Sequence, residues 1–407
     1  MSDPASSTVG GAGGPGGTGG AEVVRPPLQL VRLPVDKPQP AVSFLHARSQ
    51  GVMDLIAHFW ERLAQTPPLQ RGDLHLVVAT PVDSDNLNIN IPQLDSGRFS
   101  GAMLYVPKAH RADVMALDPQ TAAAFAAYIS HKGAATRSDN VGTTSAAATG
   151  PNAAGDGGTA AGNGATAGGN GGASTGSGGA NGTPTLPLTD LSAIVRGTAP
   201  SSELPGVAEL AARMGGAGGP GSNGKVPIDF LTGHAEGIGW MVPLLLPVVN
   251  RKALARGLVN VVMQLPADVK VVADPNVRVA KESDVPVLNR WRRMYKEERG
   301  ILFDADLDAW VQTGRVFVYE AEKQVVAVAK FDLELPRLIE IGGVFTFPEF
   351  RNRGFGGKIV GDLAGRIRAA GKVPTLQVDE QNGPALKLYQ GAGWVGMGKL
   401  ARVWLTG

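Results

Sequence analysis

Seven consecutive residues, Arg351-Asn352-Arg353-Gly354-Phe355-Gly356-Gly357, are the part of this chain best suited to chemistry. They are basic and rich in glycine, so a ligand can approach their backbone closely. Upstream, Leu338 to Thr346 has the look of a strand, with Ile339, Ile341 and Phe345 among its apolar residues. Glu340 and Gly342 share the face opposite Ile339 and Ile341, and Pro348 stops the run. Downstream, Ile359, Val360, Leu363 and Ile367 recur at helical spacing, and Gly371 sits where a helix would end. A strand, a glycine turn and a helix leave several backbone N–H groups unobstructed at a positive helix end. Such a turn receives an anion, and a pyrophosphate suits it best.

Three readings of the turn compete. It can be a connection that merely needs glycine. It can bind a dinucleotide, but that fingerprint, G-x-G-x-x-G, has a different order. It can also be R-x-x-G-x-G/A, which Arg351, Gly354 and Gly356 satisfy. The third pattern resembles motif A of the GCN5-related N-acetyltransferases (the GNAT superfamily), where the turn holds the pyrophosphate of acetyl-CoA. A second segment runs from Asn382 through Ala385, Tyr389 and Gly393 to Trp394, after a strand-like run, Pro374 to Val378. It is similar to that family's N-x-x-A-x-x-x-Y-x-x-x-G-[FW] signature. The resemblance covers about a third of the chain, Asn276 to Gly407. The stretch VDEQNGPALKLYQGAGW is similar to the glycine-acyltransferase-like, FR47-like branch.

The resemblance implies an α/β (α+β) fold with a mixed, mostly antiparallel sheet flanked by helices. It implies acetyl-CoA as co-substrate, a small-molecule or peptide amine as acceptor, and no metal. The backbone of Val344, Phe345 and Thr346 would pair with the pantetheine arm and polarise the thioester. Asn352, Arg353, Gly354, Phe355, Gly356 and Gly357 would take the pyrophosphate. Arg351 would either brace the turn or contact phosphate, and Arg353 is an equal candidate for that contact. Asn382 would order the next helix start and touch the cofactor. Tyr389, a phenol protonated at neutral pH, would donate a proton to the leaving thiolate, unless it only packs. Glu340, eleven residues before Arg351, matches the catalytic glutamate of the histone-acetylating branch. A solvated or substrate-binding carboxylate is the plain reading of Glu340; Asp379, Glu380 or an ordered water are the other bases. The competing function is a non-catalytic CoA-binding or protein-interaction module that retains the fold.

Bulk properties narrow the classes. The chain has 407 residues, 38 basic and 36 acidic, for a net charge of +2, which argues against a dedicated nucleic-acid binder. It has no cysteine, so disulfides, thiolate metal sites and an acyl-cysteine intermediate are excluded. Within the resemblance, the amine should then attack acetyl-CoA directly, in a ternary complex. Histidines 46, 58, 75, 110, 131 and 234 have no metal-ligand spacing. The most apolar run, Trp240 to Val249, is broken by Pro243 and Pro247 and is shorter than the ~20 residues a membrane-spanning helix needs. It reads as buried core or packed loop. No membrane association is expected, the first twenty residues lack a signal-peptide core, and the cytoplasm is the default compartment.

The expected organisation has three parts. Residues 1–27 form a Gly/Ser-rich tail, expected to be disordered. Residues 28–272 form an α/β domain interrupted by a Gly/Ala-rich insertion, 133–185, also expected to be disordered. Its amphipathic helix (Gln50 to Ala64), strand-like runs (Leu74 to Ala79, Gly101 to Val106), Ala-rich helix (Pro119 to Ser130) and helix at Pro205 to Met214 follow a familiar order. They resemble the degenerate acetyltransferase-like half that many bacterial relatives carry; an unrelated α/β domain is the competing reading. Lacking the R-x-x-G-x-G turn, this half should hold CoA poorly. Residues 273–407 form the acetyltransferase-like domain, read as β-α-α-β-β-β-α-β-α-β. In it Ser283 caps a helix at Asp284 to Arg299, a helix spans Asp304 to Gly314, and a hairpin turns at Glu322-Lys323. The mixed-charge run Arg290 to Arg299 reads as a solvated helix face.

Overall fold

In a computed structural model of the chain, the structure describes residues 28–67, 73–81, 95–138, 228–249, 251, 253–299 and 307–405. The expected tail, the insertion beyond Ser138 and the helix at 205–214 lie outside the described residues.

The described elements run twice through one order. The first series is β1 (Leu28–Leu33), α1 (Gln39–Ser49), α2 (Asp54–Gln65), β2 (His75–Pro81), β3 (Gly101–Val106), β4 (Arg111–Ala116), α3 (Pro119–Ser138), β5 (Phe230–His234), α4 (Ala235–Val248) and β6 (Arg256–Gln264). The second is β7 (Val277–Val279), α5 (Val285–Arg299), α6 (Leu307–Gln312), β8 (Val316–Ala321), β9 (Gln324–Glu334), β10 (Leu338–Thr346), α7 (Phe355–Ala369), β11 (Val373–Asp379), α8 (Gly383–Gly391) and β12 (Val395–Trp404). Both read β-α-α-β-β-β-α-β-α-β.

The twelve described strands form one sheet, ordered β1-β2-β3-β4-β5-β12-β6-β11-β10-β9-β8-β7. Replacing each strand by its counterpart six places away gives the same order reversed. The two halves are therefore related by a pseudo-twofold axis between β12 and β6. Among the described strands, only β4/β5 and β10/β11 pair in parallel. The last strand of each half has crossed over: β6 lies between β11 and β12, and β12 lies between β5 and β6. The expected boundary near residue 272 thus falls after a strand that is hydrogen-bonded into the second half.

Alternation along these strands sends one set of side chains to each face. On one face, α3, α4, α7 and α8 cover two apolar clusters; α7 buries Ile359, Val360, Leu363 and Ile367, the residues read at helical spacing. On the other, α1 and α2 cover one cluster, and α5 and α6 another built on Leu288 and Trp291. The apolar run expected in the core is α4, a buried helix that keeps Pro243 and Pro247 inside it. Each proline removes a helical N–H donor at a cost of about 3 kcal/mol, which the burial of Ile238, Met241, Leu244 and Leu245 offsets.

Local details differ from the sequence reading in three places. Ser283 does not cap α5: a 3₁₀ turn, Glu282–Asp284, precedes it, and the Asp284 carboxylate accepts the Lys281 N–H at 2.7 Å. The face of α5 is not simply solvated, because Arg290 pairs with Glu349 and Glu298 with Arg351. Phe345 does not share a face with Ile339 and Ile341. A β-bulge between Gly342 and Phe345 inserts an extra residue, so Phe345 packs in the α5/α6 layer. The hairpin at Glu322-Lys323 forms as read, both residues taking left-handed φ values of 55° and 61°.

Candidate active site

The bulge also opens the sheet. β10 pairs with β11 only from Leu338 to Ile341; beyond that, Gly342 to Thr346 keep their bonds to β9 and leave β11. Their β11-facing edge is a short unpaired strand, an acceptor for an extended ligand. Gly343 is left-handed (φ 61°), and its carbonyl accepts the indole N–H of the buried Trp291 at 3.1 Å. A Cβ on Gly343 would sit 2.8 Å from the Trp291 ring, and one on Gly342 would sit 2.5 Å from Asp332. Both glycines are therefore demanded by close approach.

The turn follows at the end of this strand. Asn352 and Gly354 are left-handed (φ 63° and 80°), and Gly354 is the N-cap of α7 without any capping side chain. The first helical bond of α7 runs from Lys358 N–H to the Gly354 carbonyl at 3.1 Å. The N–H groups of Phe355, Gly356 and Gly357 precede it, at the positive helix end. Nothing lies within 4 Å of a Cβ on Gly354, so the turn is open on that side. Arg351 is engaged in bracing: Nε donates to the Thr346 carbonyl at 3.0 Å, Nη2 to Glu298 at 2.6 Å, and the guanidinium lies over Phe345. Arg353 bonds Glu322 at 2.7 Å and stacks on Phe355, leaving it half-exposed beside the turn.

A cavity of about 540 Å³ opens from the turn. Gly354, Gly357 and Lys358 line it on α7, Tyr389 and Leu388 on α8, and Lys270 on the segment joining the two halves. Tyr389 is buried against Trp394, and burial raises its phenol well above the ordinary value. It stays a proton donor throughout the physiological range. Asn382 is the N-cap of α8, its Oδ1 3.4 Å from the Ala385 N–H; with the amide turned over, the oxygen instead accepts from Arg299 at 2.9 and 3.2 Å.

Glu340 lies at the root of the splay, on the opposite face from Ile339 and Ile341. Its carboxyl group sits among Gln377, Asp332, Lys330 and Arg402. Burial, then the Asp332 charge, raise it to about 7, against opposing pulls from Gln377, Arg402 and Lys330. Gln377 Nε2 donates to Glu340 Oε2 at 3.0 Å. Lys330 is buried, ion-paired to Asp332 and 4.1 Å from the Trp310 ring centre. Sequence reasoning missed Gln377, Arg402, Lys330 and the Trp291 contact, because each comes from a different strand or helix and carries no motif. Asp379 accepts the Gln381 N–H at 2.9 Å, and Glu380 pairs with Lys399 at 2.7 Å.

The first half has no such cradle among the described residues. Only two residues separate β4 from α3, and the Asp118 carboxylate accepts the Thr121 N–H at 2.9 Å. A carboxylate at that helix start repels an anion. Gly237 of α4 lies so close to Ala116 that a Cβ would come within 2.9 Å of its nitrogen, so the start of α4 packs against the end of β4.

The described residues contain no helix long and apolar enough to cross a membrane, and no group of three or more potential metal ligands. Residues 321–405 match the model of the FR47-like protein family. No curated protein matches the chain. Among solved structures it is similar to a GNAT-family structure from Novosphingobium aromaticivorans DSM 12444, at 22% identity over 37% of this chain (TM-score 0.32), and it spans 65% of that protein's length. It is also similar to a Drosophila protein, at 11% identity over 92% of this chain and 98% of that one (TM-score 0.43). A third is a ribosomal-protein-alanine N-acetyltransferase from Brucella melitensis, at 21% identity over 31% of this chain and 96% of that one (TM-score 0.27). The family model coincides with β9 to β12, the elements that carry the open strand edge, the bare helix end and the Asn382–Trp394 segment. The likeness to the FR47-like protein family is thus carried by residues 321–405.

Proposed function

We propose that this chain is an N-acetyltransferase that moves an acetyl group from acetyl-CoA to an amine by direct attack in a ternary complex. The observation that carries the reading is the uncapped end of α7 at Gly354, which adjoins the unpaired edge of Gly342 to Thr346. An anion receptor beside an open strand suits a ligand that joins a diphosphate to an extended amide chain. Acetyl-CoA is such a molecule, and it supplies the activated thioester.

Each residue then has a task. The N–H groups from Asn352 to Gly357 hold the diphosphate, and Arg351 braces the turn. The backbone of Val344, Phe345 and Thr346 binds the pantetheine amides and polarises the acyl carbonyl. Glu340 takes the proton of the attacking amine; raised to about 7, it is matched to that task near neutral pH. Tyr389 gives a proton to the departing sulfur, and Asn382 holds the start of its helix. In this reading the first half is a degenerate copy of the same fold, which has lost its anion receptor to Asp118 and serves as one wall of the acceptor groove.

The experiment is acetyl-CoA consumption by the full chain over a panel of primary amines and peptide N-termini. The reading expects amine-dependent release of CoA and its loss in Tyr389→Phe. CoA binding without turnover on any amine would instead favour the non-catalytic module.

A further inference from the structure

Taking Glu340 as the base, its partner Gln377 has an amide whose orientation is fixed from the other side. The Gln377 side-chain oxygen lies 3.2 Å from Arg402 Nη2 and 3.4 Å from Asn260 Nδ2. Both neighbours are donors and both meet the oxygen, so the amide cannot turn over without placing its NH₂ against a guanidinium and a second NH₂. The remaining direction is toward Glu340, where Nε2 donates at 3.0 Å. Arg402 is the donor with most at stake. It is only partly exposed and carries no salt bridge among the described residues; burial lowers its affinity for its proton, and Glu340 and Asp332 partly compensate.

The origin of these donors matters. Asn260 lies on β6 and Arg402 on β12, the two strands the halves exchange. Across β6 the register pairs Asn260 with Leu400 on one side and Asp379 on the other, so Asn260, Arg402 and Gln377 rise from the same sheet face. That face also carries Glu340 on β10 and Lys330 with Asp332 on β9. A C-terminal half folded without β6 would hold Gln377 with one donor fewer.

We infer that Gln377 is the positioning residue of Glu340, and that Asn260 and Arg402, delivered by the strand exchange, hold Gln377 in its donating orientation. The inference rests on Glu340 being the base. Gln377 fixes one carboxylate oxygen and leaves the other to meet the amine, and it favours the ionised form that must accept the proton. Asp332 opposes that ionisation; Lys330 and Arg402 support it.

The test is the titration of the Glu340 carboxyl group in the full chain. It is followed by infrared difference spectroscopy, with Glu340→Gln subtracted to isolate its band. Gln377→Leu should move the midpoint up by about one pH unit, the scale of one hydrogen bond to a charged group. Asn260→Leu should move it in the same direction by less, and Gln377→Leu/Asn260→Leu should add nothing to Gln377→Leu alone. Affinity for CoA serves as the folding control and should be unchanged in all three. A midpoint that stays put in Gln377→Leu with CoA binding intact overturns the inference while leaving Glu340 as base. If Glu340→Gln retains full acetyl transfer on the amine panel, the base assignment itself fails, and the inference with it. Additive shifts in the double variant would show that Asn260 acts on Glu340 independently, and would overturn the relay.

Discussion

Trp291 and Gly343 meet through one hydrogen bond, the indole N–H to the bulge carbonyl at 3.1 Å. That contact holds a left-handed residue in the middle of a strand, at the point where β10 parts from β11. Trp291→Phe keeps most of the ring and removes the donor. A buried carbonyl left unpaired costs about 1–3 kcal/mol, so denaturant unfolding should register a loss of that size. CoA affinity should fall too, because the open edge depends on the bulge. Gly343→Ala should be worse, since its Cβ would press on the Trp291 ring.

Gly354 separates conformation from space. A Cβ there meets nothing within 4 Å, yet φ is 80°. Gly354→Ala should therefore cost about 1–2 kcal/mol through backbone strain alone. Gly357→Val should do the opposite: little strain, a clash with Leu388, and a branched side chain over the helix end. Thermal unfolding should rank Gly354→Ala as the less stable of the two only if Leu388 can yield. CoA titration should find binding weakened in both.

Glu340 has a pH signature with two opposite signs. As a base it must be ionised, so acetyl transfer should fall as pH drops through about 7. As a folded-state group it is raised from 4.5 to about 7, so between those values the folded chain binds more protons than the unfolded one. Its contribution to stability therefore declines as pH rises across that window. Glu340→Gln should be inactive yet more stable than the parent above pH 7, by about 1–3 kcal/mol, with the gap closing toward pH 4.5. Unfolding midpoints at several pH values check the sign.

Tyr389 is buried and its phenol keeps its proton, so Tyr389→Phe should leave the fold and CoA affinity close to those of the parent. The rate of acetyl transfer should fall by about 10²–10⁴-fold, the usual share of a general acid. A rate loss matched by an equal loss of CoA affinity would mean that Tyr389 only packs.

The strand exchange makes a prediction about fragments. A chain starting at residue 273 lacks β6, which supplies the hydrogen-bonding partner of both β11 and β12. Such a fragment should not unfold cooperatively, whereas the full chain should. Circular dichroism melts of the two would decide it.

Much of the second half was legible because its signals are local. Glycines at 354, 356 and 357 mark a turn, Ile359 to Ile367 mark a helix, and Glu322-Lys323 sits between two alternating runs. Glu340 was placed on its face by alternation alone, since the bulge begins only after it. Phe345 was not, because a single inserted residue at Gly342–Gly343 reverses every face beyond it. The exchange of β6 and β12 has no local sign: Leu258, Asn260 and Val262 alternate as any strand would, and neighbours are chosen by pairing across more than a hundred residues. The support around Glu340 was hidden for the same reason, with Asn260, Gln377 and Arg402 distant in sequence and joined only by strand order.

The central claim is that the bare end of α7 grips the diphosphate of CoA. Calorimetric titration of the full chain with CoA, and separately with pantetheine, tests it most directly. One saturable CoA site per chain is expected, with pantetheine bound at least about tenfold more weakly, a difference of 1.4 kcal/mol or more. No CoA binding, or equal affinity for the two, would contradict it.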